Sequence, residues 1–225
     1  MIERLLHFFE RYPIDLISHL SSCLPIAVGL VRFQSMKLSV KYVWWLFVFF
    51  FVKDTYSLIH MFFIPNTLYI QNLEVIAEAV IVGVIYFYEF EKPIQKRIIL
   101  LLTVIVTFVS IYSYSSTDVS SVSLSVFRFF LIILSLSYFN NVLSDMRVSK
   151  ITKHSLFWFS SGLLIYSTGT FFIMLFSEYW YRGVDKVSAE VFDKYWNASQ
   201  LLFVIFCLFS SVGLWFSKYD KENFI

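Results

Sequence analysis

Charge is scarce in this 225-residue sequence: Asp, Glu, Lys and Arg make up only 15% of it, whereas soluble domains average about 25%. Its two cysteines, both within apolar runs, provide neither a disulfide framework nor a metal-type spacing. Hydrophobic residues account for 58% of the chain and aromatic residues for 21%, with a mean hydropathy of +0.71. This composition excludes a soluble globular domain and predicts an integral membrane protein. Nothing in it indicates a nucleic-acid partner.

Apolar runs long enough to cross a bilayer, which takes about 20 residues, occur seven times. The predicted spans are residues 14–31, 42–64, 68–89, 98–114, 119–142, 155–177 and 195–217. The breaks between them are short, so no separate soluble domain is predicted. The predicted fold class is therefore all-α, an integral membrane bundle of seven transmembrane helices covering residues 14–217.

Both ends of the chain are predicted to lie outside this bundle. Residues 1–13 place apolar residues at spacings of three and four among charged ones, which is typical of an interfacial amphipathic helix. They lack the basic start and the small-residue cleavage site of a signal peptide. Residues 218–225 are predicted to form a short cytoplasmic tail.

The lysines and arginines divide unevenly between the two sides of the predicted bundle. Eleven lie in connections on one side and five on the other, and the remaining two of the eighteen, Lys53 and Arg128, fall within spans. The positive-inside rule assigns the richer side to the cytoplasm. We therefore expect the N-terminus outside and the C-terminus in the cytoplasm.

Ionisable residues in the second, third and fifth predicted spans reach similar depths. A central Arg, Lys or Asp costs about 2.5–3.5 kcal/mol on insertion, whereas a Leu or Phe returns only about 0.3–0.6 kcal/mol. These side chains are therefore expected to face one another or water, and they predict a ligand-binding or proton-coupling site. The candidate site residues are Lys53, Asp54, His60, Glu74, Glu78 and Arg128.

The central charges do not balance, because three carboxylates face only two cations. Either one carboxyl group is protonated or a cationic ligand supplies the missing charge. The alternative interpretation is purely structural. In it, Glu74 pairs with Lys53, and Asp54 or Glu78 pairs with Arg128, to fix the helix register.

Further polar residues in the first and seventh spans are candidates for secondary contacts. If these spans meet to close the bundle, His19 comes near Asn197 or Gln200, and an interhelical hydrogen bond is the favoured interpretation. Pro25 is expected to kink the first span. In the sixth span Gly162 and Gly169 lie seven residues apart and predict close helix packing, whereas the uncharged fourth span is expected to face lipid.

A metal site was weighed from the histidines and the paired glutamates. His19, His60, Glu74 and Glu78 all fall in the predicted outer half, and imidazole with carboxylate suits zinc or iron. However, no helix carries two histidines at a metal-binding spacing. No metal and no other cofactor is therefore predicted.

The segment Phe157-Trp158-Phe159-Ser160-Ser161-Gly162-Leu163-Leu164-Ile165-Tyr166, with Gly169 and the later Trp196, resembles small uncharacterised seven-span proteins of Gram-negative bacteria. The resemblance covers mainly the sixth span. It implies a bacterial cytoplasmic membrane and a role in membrane sensing, without catalytic residues. The chain is similar to microbial rhodopsins in topology only, since its seventh span has no central lysine for retinal.

Three functions remain open from the sequence. The first is a receptor or sensory module that binds a small molecule or lipid at the charged centre and signals to a separate protein, because the connections leave no room for an effector domain. The second is a proton- or ion-coupled transporter, although no internal repeat supports it. The third is an intramembrane enzyme that modifies lipids. Membrane lipids and a separate signalling protein are the expected partners.

Overall fold

The structure is a computed structural model that describes residues 12–61, 63, 68–116, 118–145, 151–177 and 189–220. The helices long and apolar enough to cross a membrane, called spans 1 to 7 below, are Pro13–Ser35, Leu38–Met61, Leu68–Glu89, Pro93–Tyr112, Ser121–Ser144, Ser155–Leu175 and Asp193–Tyr219. The prediction of an all-α bundle with seven spans is confirmed. The predicted interfacial helix falls almost wholly outside the described residues, as does the tail beyond Asp220.

Several spans belong to longer or composite helices. Their bounds are Pro13–Ser21 and Cys23–Arg32 in span 1 with a 3-10 turn at Phe33–Ser35, Ser121–Asp145 for span 5, and Ala189–Phe216 with a 3-10 turn at Ser217–Tyr219 for span 7. A further 3-10 turn, Ile151–Lys153, precedes span 6.

Span 1 is interrupted at Ser22, three residues before Pro25. A proline has no N–H to donate to the carbonyl four residues earlier, and its ring crowds that carbonyl. For Pro25 the affected carbonyl belongs to Ser21, the last residue of the first helical segment. The helix is therefore interrupted one turn before the proline, at the position where a proline effect is expected.

Span 4 begins five residues earlier than predicted, at Pro93. Proline suits the first position of a helix because its missing N–H would have no partner there, and the polar residues that follow it lowered the hydropathy of this turn. Span 4 is also the least buried of the seven, with 17% of its most apolar window inside the protein. The expectation that it faces lipid agrees with this value.

Consecutive spans pack as antiparallel neighbours, and span 7 packs against both span 6 and span 1. Span 1 therefore meets span 7, as ring closure requires. Because seven crossings alternate in direction, the chain enters and leaves the bundle at opposite ends. We call the end at which span 1 begins the N-side and the opposite end the C-side.

Spans 6 and 7 approach each other closely along small residues. A Cβ atom added to Gly162 would lie 2.8 Å from Cβ of Phe209, and one added to Gly169 would lie 2.6 Å from Cδ1 of Leu202. Gly213 on span 7 is tighter still, because its Cβ would lie 2.5 Å from the backbone oxygen of Ser155. The small-residue face predicted for span 6 therefore packs as expected.

Candidate functional site

A cavity of about 450 Å³ opens in the N-side half of the bundle and receives side chains from every span except span 4. Its size lies within the range of about 300–1,000 Å³ that is usual for small-molecule sites. Acidic, basic and aromatic groups share its walls with Ser, Gln and Met. Its charged or aromatic lining residues are Asp15, His19, Phe50, Lys53, Asp54, Glu74, Glu78, Arg128, Tyr166, Trp196 and Phe203.

Lys53 lies at the centre of an ion triad in this cavity. Its Nζ is 2.5 Å from Oε1 of Glu74 on span 3 and 2.6 Å from Oδ1 of Asp54, its neighbour on span 2. The pair with Glu74 is one that the structural interpretation of the sequence anticipated. Because one ammonium group contacts two carboxylates at hydrogen-bond distance, the triad carries a formal charge of −1.

Glu78 lies one helical turn from Glu74 along span 3, and both carboxyl groups line the cavity. Glu78 is only 6% exposed, and no cation is within ion-pair distance of it among the described residues. The surplus carboxyl group inferred from the sequence therefore lies in the same cavity as a second carboxyl group one turn away.

Arg128 has no ion-pair partner within the described part of the chain, contrary to the pairing with Asp54 or Glu78 considered from the sequence. Its Nη2 donates to the hydroxyl of Tyr166 at 2.9 Å, and its guanidinium carbon lies 4.5 Å from the centre of that ring. Nε and Nη1 are buried, and neither has a hydrogen-bond partner among the described residues. Each orphaned donor of this kind costs about 1–3 kcal/mol, so the guanidinium retains unused binding capacity.

Tyr166 on span 6 holds the guanidinium of Arg128 in position. Its ring stacks on Phe206 with centroids 5.7 Å apart and meets Phe203 edge-on at 5.8 Å. Such aromatic contacts restrict a ring to one orientation. The hydroxyl of Tyr166 is thereby directed at Arg128 by packing between spans 6 and 7.

The N-side part of the cavity wall is formed by spans 1 and 7. Asp15 accepts a hydrogen bond of 2.8 Å from the indole N–H of Trp196, and no cation among the described residues lies within ion-pair distance of its carboxylate. His19 stacks on Phe51 with centroids 4.9 Å apart, and its Nε2 is 3.4 Å from Oγ1 of Thr55. A carboxylate and an indole ring thus lie side by side at this end.

The structure brings together most, though not all, of the predicted site residues. Lys53, Asp54, Glu74, Glu78 and Arg128 all line the cavity, and so do His19 and Gln200, whereas His60 and Asn197 do not. His60 contacts Tyr69 instead, with Nε2 3.0 Å from the phenol oxygen. Its position two turns beyond Lys53 moves it to the end of span 2, next to the start of span 3.

The four groups weighed as metal ligands are not assembled into one site. His60 lies outside the cavity that His19, Glu74 and Glu78 share. Within the described residues no group of three or more His, Cys, Asp or Glu side chains is arranged to hold a metal ion. The metal arrangement considered from the sequence therefore has no support in the described geometry.

A second polar cluster, at the C-side end, was missed by the sequence analysis. Glu89 at the end of span 3 accepts a hydrogen bond of 2.8 Å from Ser39, and its Oε1 is 3.5 Å from Nε2 of His154. His154 Nδ1 is in turn 2.8 Å from the hydroxyl of Tyr138. Burial, with a smaller contribution from the charge of Lys37, lowers the pKa of His154 to about 4.

Asp220 joins the end of span 7 to the start of span 6 in the same cluster. One carboxylate oxygen accepts the backbone N–H of Ser155 at 2.9 Å, and the other accepts its hydroxyl. Burial raises the pKa of Asp220, although both hydrogen bonds and the charge of Lys37 oppose the rise. The sequence offered little indication of this contact, because His154 and Asp220 read as connection residues.

Comparison with known proteins assigns no family to this chain: no protein-family model matches it, and no match was found among curated proteins or solved structures. The resemblance noted at residues 157–166 is therefore supported only at the level of seven helices able to span a membrane.

Proposed function

We propose that this protein is a membrane receptor or sensory module whose ligand, a small molecule or a lipid, binds in the N-side cavity. In the orientation given by the positive-inside rule, the cavity opens toward the outside. The observation that carries the proposal is that one cavity of about 450 Å³ contacts six spans and contains charged residues from four of them. Signalling then requires a separate partner protein at the C-side.

A ligand that contacts six spans has a direct means of shifting their packing. It can change a conformational equilibrium only as far as it binds one arrangement better than the other. The triad at Lys53 joins spans 2 and 3, and the Arg128–Tyr166 contact joins spans 5 and 6. A ligand group that competes for one of these contacts therefore weakens the connection between the two helices that the contact joins.

A proton-coupled carrier is the second candidate, and the presence of Glu74 and Glu78 one helical turn apart in the cavity is the observation that favours it. Ionisable groups inside a membrane bundle often serve as proton relays. The two candidates differ in a measurable way. A carrier moves protons across a sealed liposome when its substrate is supplied, whereas a receptor leaves the internal pH unchanged.

Ligand binding in the cavity is tested by filling it. Ser57 lines the cavity, and Val52 on the same helix is 59% exposed on the lipid side, so Ser57→Phe and its control Val52→Phe add the same bulk in different places. We expect native mass spectra of protein released from mild detergent to show a bound mass in the wild type and in Val52→Phe, and to lose it in Ser57→Phe. An adduct of equal occupancy in all three proteins would contradict a ligand site in this cavity.

The receptor function is tested by distances at the C-side. Spin labels at Leu38→Cys and Leu143→Cys, both on exposed positions, report the separation of spans 2 and 5 in a chain carrying Cys23→Ser and Cys207→Ala. We expect the distance distribution of the protein with its co-purified adduct to differ from that of Ser57→Phe. Identical distributions, with the adduct present in one and absent in the other, would argue for binding without signalling.

A further inference from the structure

We propose that the ligand is a zwitterion, with its anionic group at Arg128 and its ammonium group at Asp15 and Trp196. The inference deepens the proposed function and rests on it. Among the described residues that line the cavity, Arg128 is an incompletely satisfied cation, and Asp15, like Glu78, is a carboxylate without an ion-pair partner. Asp15 is the one of the two carboxylates that lies at the N-side start of its span, beside an indole ring. A molecule with two opposite charges meets both requirements at once.

The anionic end is assigned by the guanidinium of Arg128. This side chain is 6% exposed, lines the cavity, and has two nitrogen atoms without a hydrogen-bond partner. Buried polar groups in native proteins are almost always hydrogen-bonded, so an exception requires an explanation. A forked guanidinium matches a carboxylate or phosphate better than any neutral acceptor.

The cationic end is assigned by the pair formed by Asp15 and Trp196. Both residues line the cavity, and their hydrogen bond of 2.8 Å holds the indole ring beside the carboxylate. A carboxylate attracts an ammonium group by charge, and an aromatic face adds a cation–π contribution. Lys53 does not serve this carboxylate, because its ammonium group contacts Asp54 and Glu74.

The spacing of the two charges follows from the helix positions. Arg128 lies about 10 Å along span 5 from its N-side start and Asp15 about 3 Å along span 1, at about 1.5 Å per residue. With the two spans beginning at the same depth, the Cα atoms of these residues lie roughly 7 Å apart along the bundle axis. An α-amino acid, with one carbon between its charged groups, is short for this separation, an ω-amino acid of six carbons matches it, and a phosphoethanolamine headgroup is intermediate.

The first experiment compares three soluble probes of equal chain length, namely 6-aminohexanoate, hexanoate and hexylammonium, by the thermal unfolding of purified protein. We expect 6-aminohexanoate to bind at least tenfold more tightly than either single-charge probe. Arg128→Gln should reduce its affinity to that of hexylammonium, and Asp15→Asn to that of hexanoate. The matched controls are Arg32→Gln and Asp118→Asn, which alter the same residue types outside the cavity lining and should leave the affinity unchanged.

A second arm separates a soluble ligand from a lipid headgroup. Native mass spectra after exchange into phosphatidylethanolamine or phosphatidylglycerol report which lipid is retained. Retention of phosphatidylethanolamine alone, lost in both Arg128→Gln and Asp15→Asn, would support the zwitterion as a lipid headgroup. Binding of 6-aminohexanoate without lipid retention would support a soluble zwitterion.

The outcomes distinguish this inference from the proposed function. Equal affinity for 6-aminohexanoate and for one single-charge probe would overturn the proposal of a zwitterionic ligand and leave a ligand cavity in place. The same conclusion would follow if neither 6-aminohexanoate nor phosphatidylethanolamine bound while the co-purified adduct was still lost in Ser57→Phe. If the adduct also survives in Ser57→Phe, the proposed function fails with it. If Arg128→Gln does not fold, the comparison of the three probes on wild-type protein still tests whether the ligand is a zwitterion.

Discussion

The two polar regions of this bundle differ in how far the protein itself satisfies them. At the C-side, both carboxylate oxygens of Asp220 accept hydrogen bonds from Ser155, and the carboxylate of Glu89 accepts one from Ser39. In the N-side cavity, within the described part of the chain, Arg128 has two donors without a hydrogen-bond partner, and Asp15 has one hydrogen bond and no cation at ion-pair distance. A polar cluster whose hydrogen bonds are all made within the protein stabilises the packing of its helices. A cluster with unpaired donors and acceptors gains free energy when a ligand supplies the missing partners.

The largest loss of stability is expected from a substitution at Gly213, where spans 6 and 7 are in van der Waals contact at the C-side. In Gly213→Ala the new Cβ would lie 2.5 Å from the backbone oxygen of Ser155, so spans 6 and 7 must separate. Overpacking of this kind costs about 1–3 kcal/mol, which we expect as a loss in the free energy of unfolding measured in detergent. The control Val212→Ala removes a partly exposed side chain one residue away, and an equal loss there would refute tight packing as the cause.

The next largest effect is expected from His154 on acidification. Its pKa is lowered from 6.5 to about 4 in the folded protein, so the unfolded chain takes up a proton first as the pH falls. Stability contributed by neutral His154 is therefore present at pH 7, is lost between pH 6.5 and pH 4, and falls by about 2 kcal/mol between pH 7 and pH 5. Unfolding curves at both pH values should show this loss in the wild type and not in His154→Gln.

The raised pKa of Asp220 acts in the opposite direction on acidification, because the folded protein then binds a proton more readily than the unfolded chain. Asp220→Asn should therefore make the wild-type loss between pH 7 and pH 5 larger. A pH dependence unchanged by either substitution would show that the C-side cluster does not titrate through these groups.

A smaller effect is expected from Tyr166→Phe in the cavity. The substitution removes the hydroxyl that accepts the hydrogen bond of Arg128 and keeps the ring stacked on Phe206. Loss of a hydrogen bond to a charged group costs about 1.5–3 kcal/mol when nothing replaces it, so we expect a loss of about 1.5 kcal/mol in the free energy of unfolding. A loss as large as that of Gly213→Ala would mean that the Arg128 contact is structural.

The smallest effect is expected from Ser57→Ala in the cavity wall. No side-chain hydrogen bond of Ser57 is seen within the described residues, and it packs against the cavity. The change should alter the free energy of unfolding by less than about 0.5 kcal/mol. A large loss in the free energy of unfolding, measured by chemical denaturation, would show that the cavity wall is packed as tightly as the C-side.

How far the sequence predicts the site depends on which residues are considered. Lys53, Asp54, Glu74, Glu78 and Arg128 were found because a charge inside an apolar run is conspicuous and has to face the bundle interior. The C-side cluster was missed because His154 and Asp220 lie at the ends of apolar runs, where polar residues are ordinary. His60 was included because it shares a helical face with Lys53, but a shared face does not fix which neighbouring helix it meets.

The sequence by itself determined the seven spans, the interruption of span 1 before Pro25 and the presence of buried charge. These follow from local properties, namely the length and hydropathy of each run and the missing N–H of proline. The tertiary structure alone decided the partners: Lys53 contacts two carboxylates, Arg128 contacts Tyr166, and Asp220 contacts Ser155. Partner choice depends on the rotation and depth of each helix against its neighbours, and these are set by side-chain packing between residues far apart in the chain.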